Sequence, residues 1–140
     1  MDGLTSNYMY LVDTNVWLEP LLQQERAEEA VEFLTQTPTE NLCITDFSFN
    51  SIGILLTRQN RLNVLLDFVR DVFTDGAVRL VRMEPQDTPS LVAAINQFNL
   101  DFDDAYQYVA AQRHNLIIVS FDNDFNRTPE GRRTPAEILD

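Results

Sequence analysis

Two short segments of the sequence each combine an apolar strand pattern with an aspartate at its end. One is the run Tyr8–Asp13, and the other is Leu116–Ser120, which Phe121 and Asp122 follow. In a parallel α/β sheet, ligands bind in the crevice beyond the carboxyl ends of the strands. Asp13 and Asp122 are therefore expected to face one pocket. Carboxylate oxygens are ligands that Mg²⁺ prefers, so the sequence predicts an acidic pocket that holds a hard cation.

Further acids are predicted near the same edge of the sheet. Asp46 follows a second predicted strand, Asp103 and Asp104 open a predicted helix, and Asp124 comes shortly after Asp122. Taken singly, each of these acids can be explained by helix capping, because Asp satisfies free backbone N–H groups and interacts well with the helix dipole. Taken together, so many converging carboxylates would repel one another and raise their pKa values. A bound cation would remove that repulsion.

Phosphodiester hydrolysis is the chemistry that such a pocket favours. One or two Mg²⁺ or Mn²⁺ ions polarise a phosphate and lower the pKa of a bound water molecule. Zinc is not favoured, because the chain has a single His and a single Cys that are far apart in sequence. The chain contains four Gly, and neither a glycine-rich phosphate loop nor a serine nucleophile elbow is present.

The elements that would position these acids alternate between strand and helix. The predicted strands are Tyr8–Asp13, Leu42–Thr45, Val78–Met83 and Leu116–Ser120. The predicted helices are Val16–Leu22, Glu25–Thr35, Phe47–Arg58 with Asp46 as its cap, Arg61–Asp75, a helix that begins at Thr88, a helix from Asp103 or Asp104 to Arg113, and Pro135–Leu139. Strands separated by helices imply parallel pairing through right-handed crossovers. The predicted fold is an α/β/α sandwich of three layers.

Size and charge limit the class of protein. The chain has 140 residues, which predicts a single domain at residues 8–140 after a polar leader at residues 1–7. The formal net charge is −12 and all ten basic residues are Arg, which disfavours casual binding to nucleic acid but still allows binding assisted by a metal. Cys43 is the only cysteine and lies in an apolar strand pattern. The cytoplasm is the expected compartment, because no apolar run approaches the ~20 residues of a membrane span.

Three motifs, in this order, resemble those of PIN domains. They are Asp13-Thr14-Asn15 after a strand, Asp103-Asp104-Ala105 at a helix start, and the run Val119–Phe125. PIN domains are metal-dependent ribonucleases, and many small ones are VapC-type toxins of toxin–antitoxin pairs. The resemblance implies a parallel sheet of four to five strands and Mg²⁺ or Mn²⁺ as cofactor. It also implies an RNA substrate, an antitoxin partner and a homodimer.

The resemblance also implies roles for individual residues. Asp13, Asp104 and Asp122 correspond to the catalytic acids that bind the metal, and Asp124 corresponds to an accessory metal ligand. The expected supporting residues are Asn15, Asp46, Ser51, Asp103 and Ser120.

One position departs from the family pattern. PIN domains usually carry a Glu on the helix after the second strand, whereas this chain has Ser51 there, or Asn50 by a shift of one residue. Neither side chain supplies charge. Asp46 lies about one helical turn earlier and is a candidate replacement, although capping is its expected role. The alternative function is therefore a catalytically weakened PIN-fold module that acts mainly by binding RNA or a protein partner.

Two other α/β classes carry acids at strand ends or bind nucleotides, and both are disfavoured. A receiver-like domain would need a Lys near the site, and the chain has none. A dinucleotide-binding domain would need a glycine fingerprint that is absent.

Arg127, Arg132 and Arg133 lie in the polar segment directly after Asp122 and Asp124. Arginine binds phosphate in a bidentate manner, so these residues are candidates for binding RNA. The alternative is that they are solvated residues paired with neighbouring acids.

Overall fold

A parallel sheet of four short strands lies at the centre of the protein. The computed structural model describes residues 8–139, so the predicted leader at residues 1–7 lies outside the described residues. The strands are β1 (Tyr10–Val12), β2 (Leu42–Thr45), β3 (Arg79–Val81) and β4 (Ile117–Val119). Their order in the sheet is β3-β2-β1-β4, and every pairing is parallel. The carboxyl ends of the strands therefore share one edge.

Between residues 8 and 139, seven α-helices surround the sheet. They are α1 (Thr14–Leu21), α2 (Ala27–Gln36), α3 (Asp46–Arg58), α4 (Leu62–Val69), α5 (Thr88–Phe98), α6 (Phe102–His114) and α7 (Pro135–Leu139). A π-helical turn, Arg70–Thr74, continues α4, and a 3₁₀ turn, Asn123–Arg127, follows β4. The fold is an α/β/α sandwich with a parallel sheet, as predicted.

Both faces of the sheet are buried, which explains the unbroken apolar runs in the strand sequences. Val12, Ile44 and Val119 pack on one face with residues of α1, α2, α3 and α4. Leu11 and Ile118 point to the other face and pack against α6. Helix α5 packs mainly on α6 rather than on the sheet.

The predicted element bounds need correction at several places. Strands β1 and β3 are shorter than predicted, and Arg79 and Leu80 of β3 are exposed because this strand lies at the edge of the sheet. The prediction that Asp46 caps α3 is wrong. Thr45 is the N-cap residue and its hydroxyl accepts a hydrogen bond from the Ser48 backbone N–H at 3.0 Å, while Asp46 is the first residue of the helix.

The connection between α5 and α6 brings the start of α6 to the carboxyl edge of the sheet. Asn99 ends α5 in the left-handed conformation at φ 55°. Asn adopts this conformation more readily than most residues do. The buried side chain of Leu100 then anchors the chain, and Asp101 is the N-cap residue of α6.

Between residues 8 and 139, the helices are too short or too polar to cross a membrane.

Candidate metal centre

Asp13 follows the interior strand β1 and is almost fully buried. Its Oδ2 accepts a hydrogen bond from the Ser120 hydroxyl at 2.7 Å. Its Oδ1 accepts from the Gln107 side-chain amide at 2.8 Å and from the Thr14 backbone N–H at 2.9 Å. Burial raises the pKa of Asp13, and these three hydrogen bonds lower it in part. The carboxylate is fixed in one orientation while both oxygens remain at the strand end.

Gln107 is a buried polar residue of this centre that the sequence analysis missed. Its side chain is 2% exposed and lies on α6, three residues after Asp104. Its amide nitrogen donates to Asp13 and to the Ser48 hydroxyl at 2.9 Å, and its oxygen accepts from the Thr45 hydroxyl at 2.6 Å. The i, i+3 spacing from Asp104 was the available signal, because such residues share one helix face. Gln107 thus links β1, the start of α3 and α6.

The segment after β4 is arranged around the Ser120 hydroxyl. This hydroxyl accepts from the Asp122 backbone N–H at 2.9 Å and from the Asn15 side-chain amide at 3.3 Å. The Asn15 oxygen in turn accepts from the Phe121 backbone N–H at 3.2 Å. Asp122 caps the following 3₁₀ turn, since its Oδ1 accepts from the Asp124 backbone N–H at 2.9 Å. The structure therefore places Asn15 and Ser120 where they orient the end of β4 next to Asp13.

Asp104 lies in the first turn of α6 and faces the other acids. It is 9% exposed, and no hydrogen bond to its carboxylate comes from any residue between 8 and 139. Burial, followed by the negative charges of Asp122, Asp13, Asp101 and Asp124, raises the pKa of Asp104 to about 7. A carboxylate in this state, buried among like charges and without a donor, is the form of site that a cation stabilises.

One trio of acids is close enough to share a cation. Single carboxylate oxygens of Asp101, Asp104 and Asp124 all lie within 4.8 Å of one another. Among the described residues this trio meets that limit, whereas the predicted trio of Asp13, Asp104 and Asp122 does not. Asp13 and Asp122 remain near Asp104, since their charges raise its pKa. Asp101, which the sequence analysis also missed, is thus a member of the acidic group.

The donor set suits a hard divalent cation. Every candidate ligand is a carboxylate, and Mg²⁺ and Mn²⁺ favour oxygen ligands of this kind. Asp104 supplies a carboxylate that accepts no hydrogen bond from residues 8–139, and the residue is 9% exposed. The residues present therefore fit Mg²⁺ or Mn²⁺, and Asp13, Asp104, Asp122, Asp124 and Asp101 are those that would hold it.

Three other predicted residues lie beside this centre rather than in it. Asp46 accepts hydrogen bonds from the Tyr106 hydroxyl and from the Phe47 backbone N–H, both at 2.8 Å. Asp103 is exposed and forms no hydrogen bond or ion pair with its side chain among the described residues. Ser51 is half-buried on α3, one turn after Ser48, so it lies on the side of this helix that approaches Gln107.

The three predicted arginines are spread over different surroundings. Arg127 donates to Asp124 at 3.1 Å and to the Asn99 carbonyl at 2.7 Å, so it lies beside the acids. Arg132 lines a pocket with Tyr108 and Gln112, and its guanidinium is 3.8 Å from Glu137. The backbone of Arg133 pairs with β4 through an isolated parallel bridge to Val119. Since Arg132 and Arg133 are neighbours on an extended segment, their side chains point to opposite faces.

Thr45 is expected to contribute more to stability than Asp46. Thr45→Val removes the cap of α3 and leaves the Gln107 oxygen without its buried donor, which should lower the free energy of unfolding by about 1–2 kcal/mol. Asp46→Ala removes a half-buried hydrogen bond to Tyr106 and should cost less, about 0.5–1 kcal/mol. Urea unfolding of both variants checks this order. If Asp46→Ala lowered the free energy of unfolding as much as Thr45→Val or more, the capping role assigned to Thr45 would be wrong.

Comparison with known proteins places this geometry in context. A family model described as PIN domain matches residues 10–131. A comparison with curated proteins gave no significant match.

Three similar solved structures concern toxin–antitoxin systems or proteins named FitA and FitB. One is described as a toxin–antitoxin complex from Klebsiella pneumoniae, with TM-score 0.72 and 20% identity, covering 90% of this chain and 97% of that chain. FitAcB from Neisseria gonorrhoeae has TM-score 0.71 and 20% identity, with 91% and 99% covered. FitAB bound to an IR36 DNA fragment has TM-score 0.73 and 16% identity, with 91% and 95% covered. At these identities the likeness shows a shared fold.

Proposed function

This chain belongs to the PIN domain family, and we propose that it is a metal-dependent ribonuclease that hydrolyses phosphodiester bonds. The observation that carries this proposal is the state of Asp104. This carboxylate is buried, has no hydrogen-bond donor among residues 8–139 and lies among four other acids. A fold without metal chemistry has no physical need for such an arrangement, because it costs stability at neutral pH.

Each residue of the centre has a distinct task in this proposal. When bound, Mg²⁺ or Mn²⁺ would polarise the phosphate and lower the pKa of a water molecule. Asp104 and Asp124 would hold an ion between them, and Asp13 and Asp122 would complete the acidic pocket around Asp104. Ser120 and Gln107 keep both oxygens of Asp13 in place. Asn15 accepts a hydrogen bond from the backbone after β4 and so fixes the position of Asp122.

The acidic protein also needs cationic groups beside the pocket to hold an RNA chain. Arg127 contacts Asp124, and Arg26 stacks over the Phe121 ring with its guanidinium carbon 4.0 Å from the ring centroid. These contacts put both arginines next to the segment that carries Asp122 and Asp124. Arg132 is 16% exposed in its side chain and lies 3.8 Å from Glu137, and neither Arg132 nor Arg133 contacts Asp122 or Asp124, so they are the weaker candidates.

The partner and compartment follow from the same family. We infer that the chain is the toxin half of a toxin–antitoxin pair, that its antitoxin is a protein and that it acts as a homodimer in the cytoplasm. Support comes from one solved structure of the same fold that is described as a toxin–antitoxin complex. The single cysteine, Cys43, is buried in β2 and is compatible with a reducing compartment.

Cleavage of a mixed RNA pool tests the enzymatic proposal. We expect slow cleavage that requires a divalent ion, is lost with EDTA and is faster with Mn²⁺ than with Mg²⁺, because Mn²⁺ binds protein ligands more tightly. Asp13→Asn keeps the size of the side chain and should reduce the rate by about a hundredfold or more. Equal rates for the parent and Asp13→Asn would point to a contaminating nuclease.

Ser51→Glu distinguishes an enzyme from a binding module. Ser51 occupies the position where the family usually has Glu, on the side of α3 near Gln107. A carboxylate there should strengthen ion binding and raise the rate. If neither the parent nor Ser51→Glu cleaves RNA with any divalent ion, the alternative holds and the chain acts by binding RNA or a protein partner. Loss of cleavage in Asp46→Ala at unchanged stability would identify Asp46 as the replacement acid.

A further inference from the structure

We propose that Asp101 is a metal ligand in this chain and that it supplies the carboxylate that Ser51 does not. The inference rests on the proposed metal-dependent function and extends it to a residue outside the three acidic motifs. Asp101 precedes α6, whereas the missing Glu would have been on α3. The second side of the cation site would thus have moved from one helix to another.

The distances favour Asp101 over the other nearby acids. One oxygen each of Asp101, Asp104 and Asp124 can be found within 4.8 Å of the other two. Two ligand oxygens on one Mn²⁺ or Mg²⁺ lie about 3–4 Å apart, because each metal–oxygen distance is about 2.1 Å. Only small rotations of these side chains are therefore needed to bring the three oxygens onto one ion.

A second observation, the burial of Asp104 without a hydrogen-bond donor, supports a cation at this trio. Asp104 is 9% exposed, its oxygen points into the trio, and no donor from residues 8–139 reaches it. Buried carboxylates normally accept hydrogen bonds, and one that accepts none is costly. A cation held jointly with Asp101 and Asp124 would satisfy it.

The other two acids of the trio are free to contribute. Asp101 is the N-cap residue of α6, yet its side chain makes no capping hydrogen bond, and it is exposed. Asp124 gives one oxygen to Arg127, and a carboxylate has a second oxygen for an ion. Asp104 also lies near Asp13 and Asp122, so it is placed to be shared between two ions, as carboxylates are in two-metal sites.

The experiment compares Asp101→Asn with Asp103→Asn in the absence of nucleic acid. Both acids are exposed residues at the start of α6, and both changes remove one negative charge from the same helix terminus. Asn is also an accepted N-cap residue, so Asp101→Asn should keep the melting temperature of the metal-free protein. Mn²⁺ affinity is measured by titration calorimetry, and bound Mn²⁺ is counted by electron paramagnetic resonance.

We expect Asp101→Asn to weaken Mn²⁺ binding by about tenfold or more and to reduce the rise in melting temperature that Mn²⁺ produces. Asp103→Asn should change the affinity by less than about threefold, through the general loss of charge. If the two variants bind Mn²⁺ equally well while Asp13→Asn binds it poorly, the role of Asp101 is overturned and the proposed function stands. If the parent binds no Mn²⁺, both are overturned.

Discussion

Asp104→Asn is expected to stabilise the metal-free protein at pH 8 and to abolish its metal-dependent activity. Burial and four neighbouring acids raise the pKa of Asp104 to about 7 in the folded protein, whereas the residue titrates near 4 when unfolded. The folded state therefore keeps a proton on Asp104 between about pH 4 and pH 7 that the unfolded state has released. Over this window the contribution of Asp104 to stability falls as the pH rises, by at most about 1.4 kcal/mol per pH unit.

Asn resembles the protonated form of Asp104 at every pH. The parent and Asp104→Asn should thus be similarly stable near pH 3–4, and the variant should be more stable by roughly 2–4 kcal/mol at pH 8. Urea unfolding across this pH range, in the presence of EDTA, measures the difference. A variant less stable than the parent at pH 8 would show that the carboxylate makes favourable contacts in the metal-free protein.

Bound metal should reverse the order of stability of the parent and Asp104→Asn. Mn²⁺ should raise the melting temperature of the parent and release protons at pH 6, because binding converts Asp104 to the carboxylate. Asp104→Asn should show neither effect, and its rate of RNA cleavage should fall by at least about a hundredfold. Asp103→Asn, one residue earlier and exposed, serves as the control for the loss of one charge. Equal cleavage by Asp104→Asn and the parent would contradict a ligand role.

Gln107→Leu is expected to be the most destabilising single change near the site. Leu has a similar volume but leaves Asp13, Ser48 and Thr45 without partners that lie 2.6–2.9 Å from the Gln107 amide. Each unpaired buried group costs about 1–3 kcal/mol, and more when it is charged, so the free energy of unfolding should fall by roughly 3 kcal/mol. Chemical unfolding at pH 7 measures this loss, and a loss below about 1 kcal/mol would mean that the network contributes little.

Gln107→Glu tests whether the amide nitrogen is the group that matters. Glu keeps the oxygen that accepts from Thr45 but places a carboxylate oxygen against Asp13. Repulsion should raise the pKa values of the pair, so this variant should lose stability as the pH rises from about 5 to 8. Gln107→Leu has no such added acid and should show a smaller dependence on pH. Matching profiles for the two variants would exclude an electrostatic role for Gln107 at Asp13.

The parts of this protein that were predictable from sequence are those set by local patterns. Apolar runs located all four strands, and the bounds of β2 were predicted without error because Leu42–Thr45 is fully buried between a turn and a helix. The short helix Pro135–Leu139 was also predicted with its observed bounds. The edge strand β3 was predicted too long, since Val78 and Met83 continue the apolar pattern on either side of it.

The residues that were missed depend on contacts between distant parts of the chain. Gln107 becomes a central residue only because Asp13 and Thr45 meet it from 94 and 62 residues away. Asp101 lies before the helix start predicted at Asp103 or Asp104, and its closeness to Asp124 depends on how the turn after β4 folds back. At Thr45 and Asp46 two good capping residues stand side by side, and the choice between them is set by Gln107, which accepts from Thr45.

The hydrogen bond between Ser120 and Asp13 joins residues separated by 107 positions, and this separation has a consequence for synthesis of the protein. A ribosome releases the chain from its amino end, so Asp13 emerges long before Ser120 and Gln107 can hold it. Until β4 has emerged and paired with β1, the acids are apart and a growing chain has no assembled centre. Pairing of such distant strands is also slow compared with formation of local helices. A cell that makes this protein therefore has an interval, set by translation and folding, before the acidic centre is assembled.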